Sequence, residues 1–159
     1  PGTWAAAHLH SNIMIADDGV TGILMDFGST VKARVPIHSR RDALAAQDQA
    51  AEHSSMPYRA PELFDVKTDT TLDERVDIWS LGCTLYAMAY LHSPFETPST
   101  TEQGGSLALA VLNGAFKYPD DDPYSDALHG IIEACVVRDP AARPDIDAVI
   151  NMVAAALHR

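Results

Sequence analysis

No apolar run in this chain approaches the ~18 residues that a membrane helix needs, and no charged-then-apolar leader opens it. A membrane span and a secretory leader are therefore not expected from these residues. Cysteine is scarce, with only Cys83 and Cys135, both in apolar stretches. That pattern excludes a disulfide framework and reads as two reduced core thiols of an intracellular protein. Positive charge is in short supply as well: 11 Lys and Arg stand against 22 Asp and Glu, for a net charge of −11. A chain without a basic face does not suit nonspecific binding to nucleic acid or anionic lipid. An initiating methionine is missing too, since Pro1 stands first. The expectation is a fragment or a processed product.

What is present is a globular composition, 47% hydrophobic in 159 residues, enough for one domain with a core. The acid is spread along the chain. Only Asp120-Asp121-Asp122 forms a run, and it reads as a solvated turn. Residues 1–10 have little pattern. Ile13-Met14-Ile15 and Gly22-Ile23-Leu24-Met25 flank Asp17-Asp18-Gly19, which reads as a β-hairpin around an Asp-Gly turn. Arg40–His53 lacks Gly and Pro and is rich in Ala, Leu and Gln, so it predicts a helix. Val76–Leu91 is apolar on nearly every side and predicts a helix buried all round, stopped by Ser93-Pro94. Ser99–Gly105 reads as a polar loop, and Leu107–Leu112 as a short helix closed by Asn113-Gly114. Two apolar stripes at helical spacing follow. Leu128, Ile131, Ile132, Cys135 and Val136 form the first, capped by Ser125 or Asp126. Ile146, Val149, Ile150, Val153 and Leu157 form the second, after Pro144. Both stripes read as core.

Two oxygen-bearing side chains flank the hairpin, Asn12 before its first strand and Asp26 after its second. A hairpin brings its ends together, so both could face one metal pair of the kind phosphoryl transfer requires. On spacing alone the reading of Asp26 as a plain turn residue stays open.

The order of the short motifs is more specific. Asp26-Phe27-Gly28 precedes Tyr58-Arg59-Ala60-Pro61-Glu62, which precedes Asp77-Ile78-Trp79-Ser80-Leu81-Gly82, Ser93-Pro94-Phe95-Glu96 and Asp139-Pro140-Ala141-Ala142-Arg143-Pro144. From about Ser11 to the C-terminus the chain resembles the C-terminal lobe of a eukaryotic serine/threonine protein kinase. Leu24–Ser29, the helical insert Arg40–His53 and Ser55–Phe64 are similar to the Numb-associated kinase family, in the branch of myristoylated and palmitoylated kinases. The resemblance implies a mainly α fold, a kinase-like C-lobe with a short β-hairpin and about five helices, the N-terminal lobe missing. Residues 1–10 form a non-matching segment and 11–159 the lobe, with an activation segment over 26–62.

The resemblance also implies roles. ATP and Mg²⁺ are the cofactors, with Asn12 and Asp26 as metal and nucleotide-side ligands and Gly28 as a flexible joint beside Phe27. Ser55 takes the position beside the catalytic aspartate, followed by Tyr58, Ala60, Pro61 and Glu62 at the segment's end. Glu62 pairs with Arg143, a structural contact. Asp77 opens the central helix and bonds the catalytic-loop backbone, with Trp79 and Gly82 completing that motif. The partners implied are proteins bearing Ser or Thr. The setting implied is intracellular and cytoplasmic, peripheral on Golgi or other membranes where an intact parent is acylated at its N-terminus. Ser29, Thr30, Ser39, Ser54 and Ser55 are unranked phosphosite candidates in the segment, and Arg40–His53 is either a substrate-docking helix or a plain amphipathic cover.

The chain departs from the family where His-Arg-Asp should precede Asn12. Those positions hold Ala5, Ala6 and Ala7, so the general base is replaced by Ala7, and the lysine position is Leu9. Each such loss is worth roughly 10²–10⁴ in rate. His8 and His10 could substitute as base or metal ligand, or belong to a mismatched end. Two readings follow: a piece of an active kinase, itself inactive and derived from a defective gene model, or a catalytically dead binding or scaffold module.

Overall fold

A computed structural model describes residues 3–5 and 12–158. The described residues form six strands, six α-helices and three 3₁₀ turns. The strands pair into three separate antiparallel two-stranded sheets. In chain order they are β1 (Thr3–Ala5), β2 (Ile13–Ile15), β3 (Gly22–Leu24), β4 (Thr30–Lys32), β5 (Val35–Ile37) and β6 (Thr70–Leu72). The helices are α1 (Arg40–His53), α2 (Arg75–Tyr90), α3 (Pro98–Thr101), α4 (Leu107–Asn113), α5 (Asp126–Cys135) and α6 (Ile146–Leu157).

The β2–β3 hairpin forms as the Asp-Gly turn predicts, with Ile13 opposite Leu24 and Ile15 opposite Gly22. Asp18 organises the turn: one carboxylate oxygen accepts from the Val20 and Thr21 amides at 2.9 and 2.8 Å. The Thr21 hydroxyl, then these amides, hold the Asp18 carboxyl down at about 2. The other two sheets were not foreseen. β1 pairs with β4, and β5 with β6. Strands of three residues are too short to display a period of two. Pro36 in β5 is tolerable because every strand of a two-stranded sheet is an edge.

Helix α1 begins at a full capping box, in which the Ser39 hydroxyl accepts from the Asp42 amide and the Asp42 carboxylate accepts from the Ser39 amide. α2 is the axis of the fold. Val76, Ile78, Trp79, Cys83 and Tyr86 are all buried along it. Its last turn departs from the expectation of burial all round: Met88 is exposed, and the helix ends before Ser93-Pro94, at Leu91, in the left-handed conformation. α4 closes at Gly114, also left-handed, as a terminal glycine allows. The predicted loop 99–105 is partly helical, since Thr97 and Thr100 build a capping box for the single turn of α3.

Two cores flank α2. The larger joins α1, α2, α4, α5 and the 3₁₀ turns Met56–Tyr58 and Pro61–Leu63; the smaller packs Ile78, Ile131, Cys135 and Val149. Cys83 and Cys135 are both buried and free. Burial pushes the Cys135 thiol up to about 11 and the Cys83 thiol higher still. The α5 stripe is core, apart from the half-buried Leu128. The α6 stripe is not. Only Val149 is buried, while Ile146, Ile150, Val153 and Leu157 are exposed and Met152 and Ala156 pack inward instead. α6 carries apolar side chains on two faces, and its contact with α5 selects Val149, Met152 and Ala156.

α2 and α5 approach so closely at Gly82 that a Cβ there would stand 2.6 Å from Cys135 Cβ and 2.7 Å from Val136 Cγ2. We expect Gly82→Ala to lower the unfolding free energy by about 1–3 kcal/mol through overpacking. A denaturant midpoint equal to wild type would show that the helices part without cost.

Candidate functional site

The hairpin delivers Asn12 and Asp26 to its open end. The Met25 amide donates to the Asn12 carbonyl at 2.7 Å, so Asn12 faces Met25 and Asp26 is the next residue. Asn12 is half-buried and Asp26 exposed. Asp26 has φ of 56°, a conformation that Asp and Asn enter more readily than other side-chain-bearing residues. Its Oδ1 accepts from the Gly28 amide at 3.1 Å. A Cβ on Gly28 would itself lie 3.1 Å from that oxygen, so the turn is tight where glycine stands. One amide and one carboxylate are oxygen donors of the kind a hard divalent cation takes, and they fit it chemically. Among the described residues no group of three or more His, Cys, Asp or Glu side chains gathers into a metal cluster.

Around this corner the surface is apolar. Met14, Ile15, Val20, Ile23, Leu24, Met25 and Phe27 are all exposed. Scattered exposed apolar side chains are ordinary, but seven on one short hairpin and its flank mark a surface suited to being covered.

From Asp26 the chain runs through β4, β5 and α1 to Glu62. α1 lies inside this segment and buries Ala43 and Ala50 against the larger core. The Gln47 side-chain amide donates to the Phe64 carbonyl at 3.1 Å. Its outer face shows Arg40, Arg41, Leu44 and Asp48 to solvent. The helix is then held by Arg59, which the sequence reading had passed over. Arg59 Nε donates to Ser54 Oγ at 2.7 Å, Nη2 donates to Ser54 O at 2.8 Å, and the guanidinium lies 5.0 Å from the Phe64 ring centre. A cation at a helix C-terminus meets the negative end of its dipole. Ser54 is buried in this contact, whereas Ser55 is half-buried and leads into the turn Met56–Tyr58. Tyr58, Ala60 and Pro61 are buried under the segment's end.

Glu62 and Arg143 meet in a two-pronged ion pair, Nη1 to Oε1 and Nη2 to Oε2, both 2.7 Å. The Arg143 side chain is fully buried and donates further to the carbonyls of Val137, Arg75 and Arg138. It also lies 5.1 Å from the Trp79 ring centre, while Trp79 stacks on Phe95 at 5.6 Å. This cluster bolts the end of the 26–62 segment to α2 and to the loop before α6. Asp77 stands half-buried in the first turn of α2. The backbone it would bond, together with Ala6, Ala7, His8 and His10, lies outside the described residues.

A second polar cluster sits between α2, α5 and the loop before α5. His129 Nε2 lies 2.6 Å from Asp122 Oδ2, and the Tyr90 hydroxyl donates to the same oxygen at 2.8 Å. Burial opposes ionisation of Asp122, but the Tyr124 amide, the Tyr90 hydroxyl and His129 together hold its carboxyl below the usual range. The acidic run is therefore not wholly a solvated turn: Asp120 and Asp121 are exposed, whereas Asp122 is a tether. Nothing in the local sequence distinguishes the third Asp from the first two, because its partners lie on other elements.

Comparison with known proteins gives one family. The protein kinase domain matches residues 10–153. The serine/threonine-protein kinase ppk13 of Schizosaccharomyces pombe is 42% identical over 142 residues, covering 89% of this chain and 41% of that protein. Serine/threonine-protein kinase 16 of Homo sapiens is 39% identical over 145 residues, covering 91% of this chain and 46% of its own length. Serine/threonine-protein kinase ENV7 of Saccharomyces cerevisiae is 34% identical over 143 residues, with 90% and 39% covered. The chain thus spans less than half the length of these relatives. No described helix is long and apolar enough to cross a membrane.

Proposed function

The chain belongs to the protein kinase family, and on that footing we propose that it is the metal-facing and substrate-facing part of a serine/threonine kinase. The intact protein transfers the γ-phosphate of ATP to Ser or Thr hydroxyls of proteins. The observation that carries this reading is the meeting of Asn12 and Asp26 at the open end of one hairpin. Asn12 and Asp26 would hold Mg²⁺, whose charge offsets that of the phosphate oxygens. The Gly28 amide orients the Asp26 carboxylate, and the Glu62–Arg143 bolt fixes the far end of the segment that presents the substrate. Ser55 stands between that bolt and α1, where a substrate hydroxyl would approach. The helix inside the segment supports placing the protein in the Numb-associated branch, as an intracellular, cytoplasmic kinase peripheral on membranes when acylated.

The 159-residue chain by itself is the inactive part of this enzyme. Its general-base position is Ala7 and its lysine position Leu9. The same substitutions support a second reading, a dead kinase-like module that only binds partners. Incubation with Mg-ATP and a generic protein substrate separates the cases. We expect the intact protein to label Ser and Thr and the 159-residue chain to label neither. An intact protein that binds substrate without labelling it would establish the second reading. Labelling by the short chain, abolished in Asp26→Asn, would refute its inactivity.

A further inference from the structure

A broad cleft lies away from the hairpin, between α3, the end of α2 and the segment after α4. It encloses about 880 Å³, and none of its lining residues belongs to β2 or β3. Three of its rings, Tyr86, Phe116 and Tyr118, pack on one another with centres 5.6–5.9 Å apart. Tyr86 is buried, whereas Phe116 and Tyr118 keep part of their surface open. An aromatic floor of this kind accepts large apolar side chains.

The rim carries Leu91. It is 91% exposed and has φ of 65°. A helix C-terminus in this conformation is normally closed by Gly or Asn, which lack the steric penalty. A leucine here gains no burial within the described chain to offset that penalty. Its chemistry suits contact with another molecule. Glu96 and Glu102 line the same cleft. Glu96 accepts from the Ser93 amide at 3.1 Å, while Glu102 is exposed and its carboxylate is in no ion pair among the described residues. Lys117, the lone lysine of the lining, comes from the separate segment after α4. The negative field is thus concentrated at the α3 side, within a chain of net charge −11 that already attracts cations.

We propose that this cleft is a docking site for an extended segment of a partner protein in which a large apolar residue stands next to Arg or Lys. The apolar side chain seats on Phe116, Tyr118 and Leu91, and the cation lies against Glu96 and Glu102. The walls are stiff: Pro94, Pro98 and Pro119 all contribute to them, and the loop that bears Tyr118 is tied down by Asp122 to Tyr90 and His129. Tyr58, the end of the 26–62 segment, is also in the lining, so an occupant touches the element that presents substrate. Docking does not depend on phosphoryl transfer and is measured without nucleotide, so failure here leaves the catalytic reading intact.

A positional-scanning library of fluorescein-labelled dodecapeptides, read by anisotropy on the full chain, tests the proposal. We expect enrichment of Leu, Phe or Tyr beside Arg or Lys. The best peptide should bind at least ~10-fold more weakly to Leu91→Gly and to Glu102→Lys, since hot-spot side chains carry most of such an interface. Both are surface changes, and Leu91→Gly removes a conformational penalty, so thermal midpoints at or above that of wild type are expected for it. Glu102→Lys should gain affinity for the same peptide with Glu in place of Arg. No positional preference, a preference for acidic peptides, or unchanged binding in both variants would each overturn the assignment.

Discussion

Arg143→Ala is expected to remove a large share of the chain's stability. The Arg143 side chain is fully buried, and its three nitrogens make five donor contacts, two of them to Glu62. Truncation leaves the Glu62 carboxylate, itself only 17% exposed, facing three carbonyls without a cation between them. Breaking a buried pair from one side costs about 3–5 kcal/mol, against the roughly 5–15 kcal/mol that holds a whole domain. Lys in its place is not conservative, because a single ammonium cannot reach both carboxylate oxygens and three carbonyls in one plane. Glu62→Gln should be milder, since the amide still accepts one bond, and Arg143→Met with Glu62→Gln should recover part of the loss by removing both charges together. Chemical denaturation followed by circular dichroism measures the series. An unfolding free energy for Arg143→Ala within about 0.5 kcal/mol of wild type, the range of ordinary surface changes, would mean that the bolt is decorative.

That contact illustrates what a sequence can and cannot convey. Asp18-Gly19 between two apolar runs announces a hairpin because tight reversals favour those residues, here within a four-residue loop, 17–20, closed by the Ala16 amide on the Thr21 carbonyl. The end of α4 was equally plain at Gly114, whereas the Ser39–Asp42 capping box that starts α1 emerged only in the structure. Periodicity failed at α6, where apolar residues on two faces look alike until a neighbour chooses between them, and it could not register β4 or β5, whose paired residues lie 25–29 and 33–37 positions away along the chain, beyond any local window. The candidate site divides the same way. The hairpin alone placed Asn12 and Asp26 at one end of the same two strands, because pairing brings strand ends together, while their joint role rested on the family resemblance. Glu62 and Arg143 were joined only through a family resemblance, since 81 residues separate them. Arg59 stood inside a motif that gave it no role, the Asp122–His129 tether had no signal at all, and both roles emerged only from the packing.

The functional reading is most exposed at Asp26, and the choice of substitution matters there. With φ of 56°, Asp26→Ala combines loss of the carboxylate with a backbone penalty of roughly 1–2 kcal/mol. Asp26→Asn avoids that confusion, because Asn tolerates the conformation and its amide oxygen can still accept from Gly28. Only the charge is lost. We expect the intact protein carrying Asp26→Asn to keep its thermal midpoint, since the side chain is exposed and makes one hydrogen bond. Its kcat should fall roughly 100- to 1,000-fold, the range for removing one preorganised electrostatic contact to a developing charge. The fall should appear in kcat and kcat/KM for the protein substrate alike, because Asp26 would act on the phosphate and not on the peptide. Raising Mg²⁺ should recover part of it if the carboxylate is a ligand and none of it if the carboxylate merely shapes the turn. A variant that transfers phosphate at the wild-type rate would remove Asp26 from the site and return it to the role its Gly28 contact already explains, a well-made turn at the end of a strand.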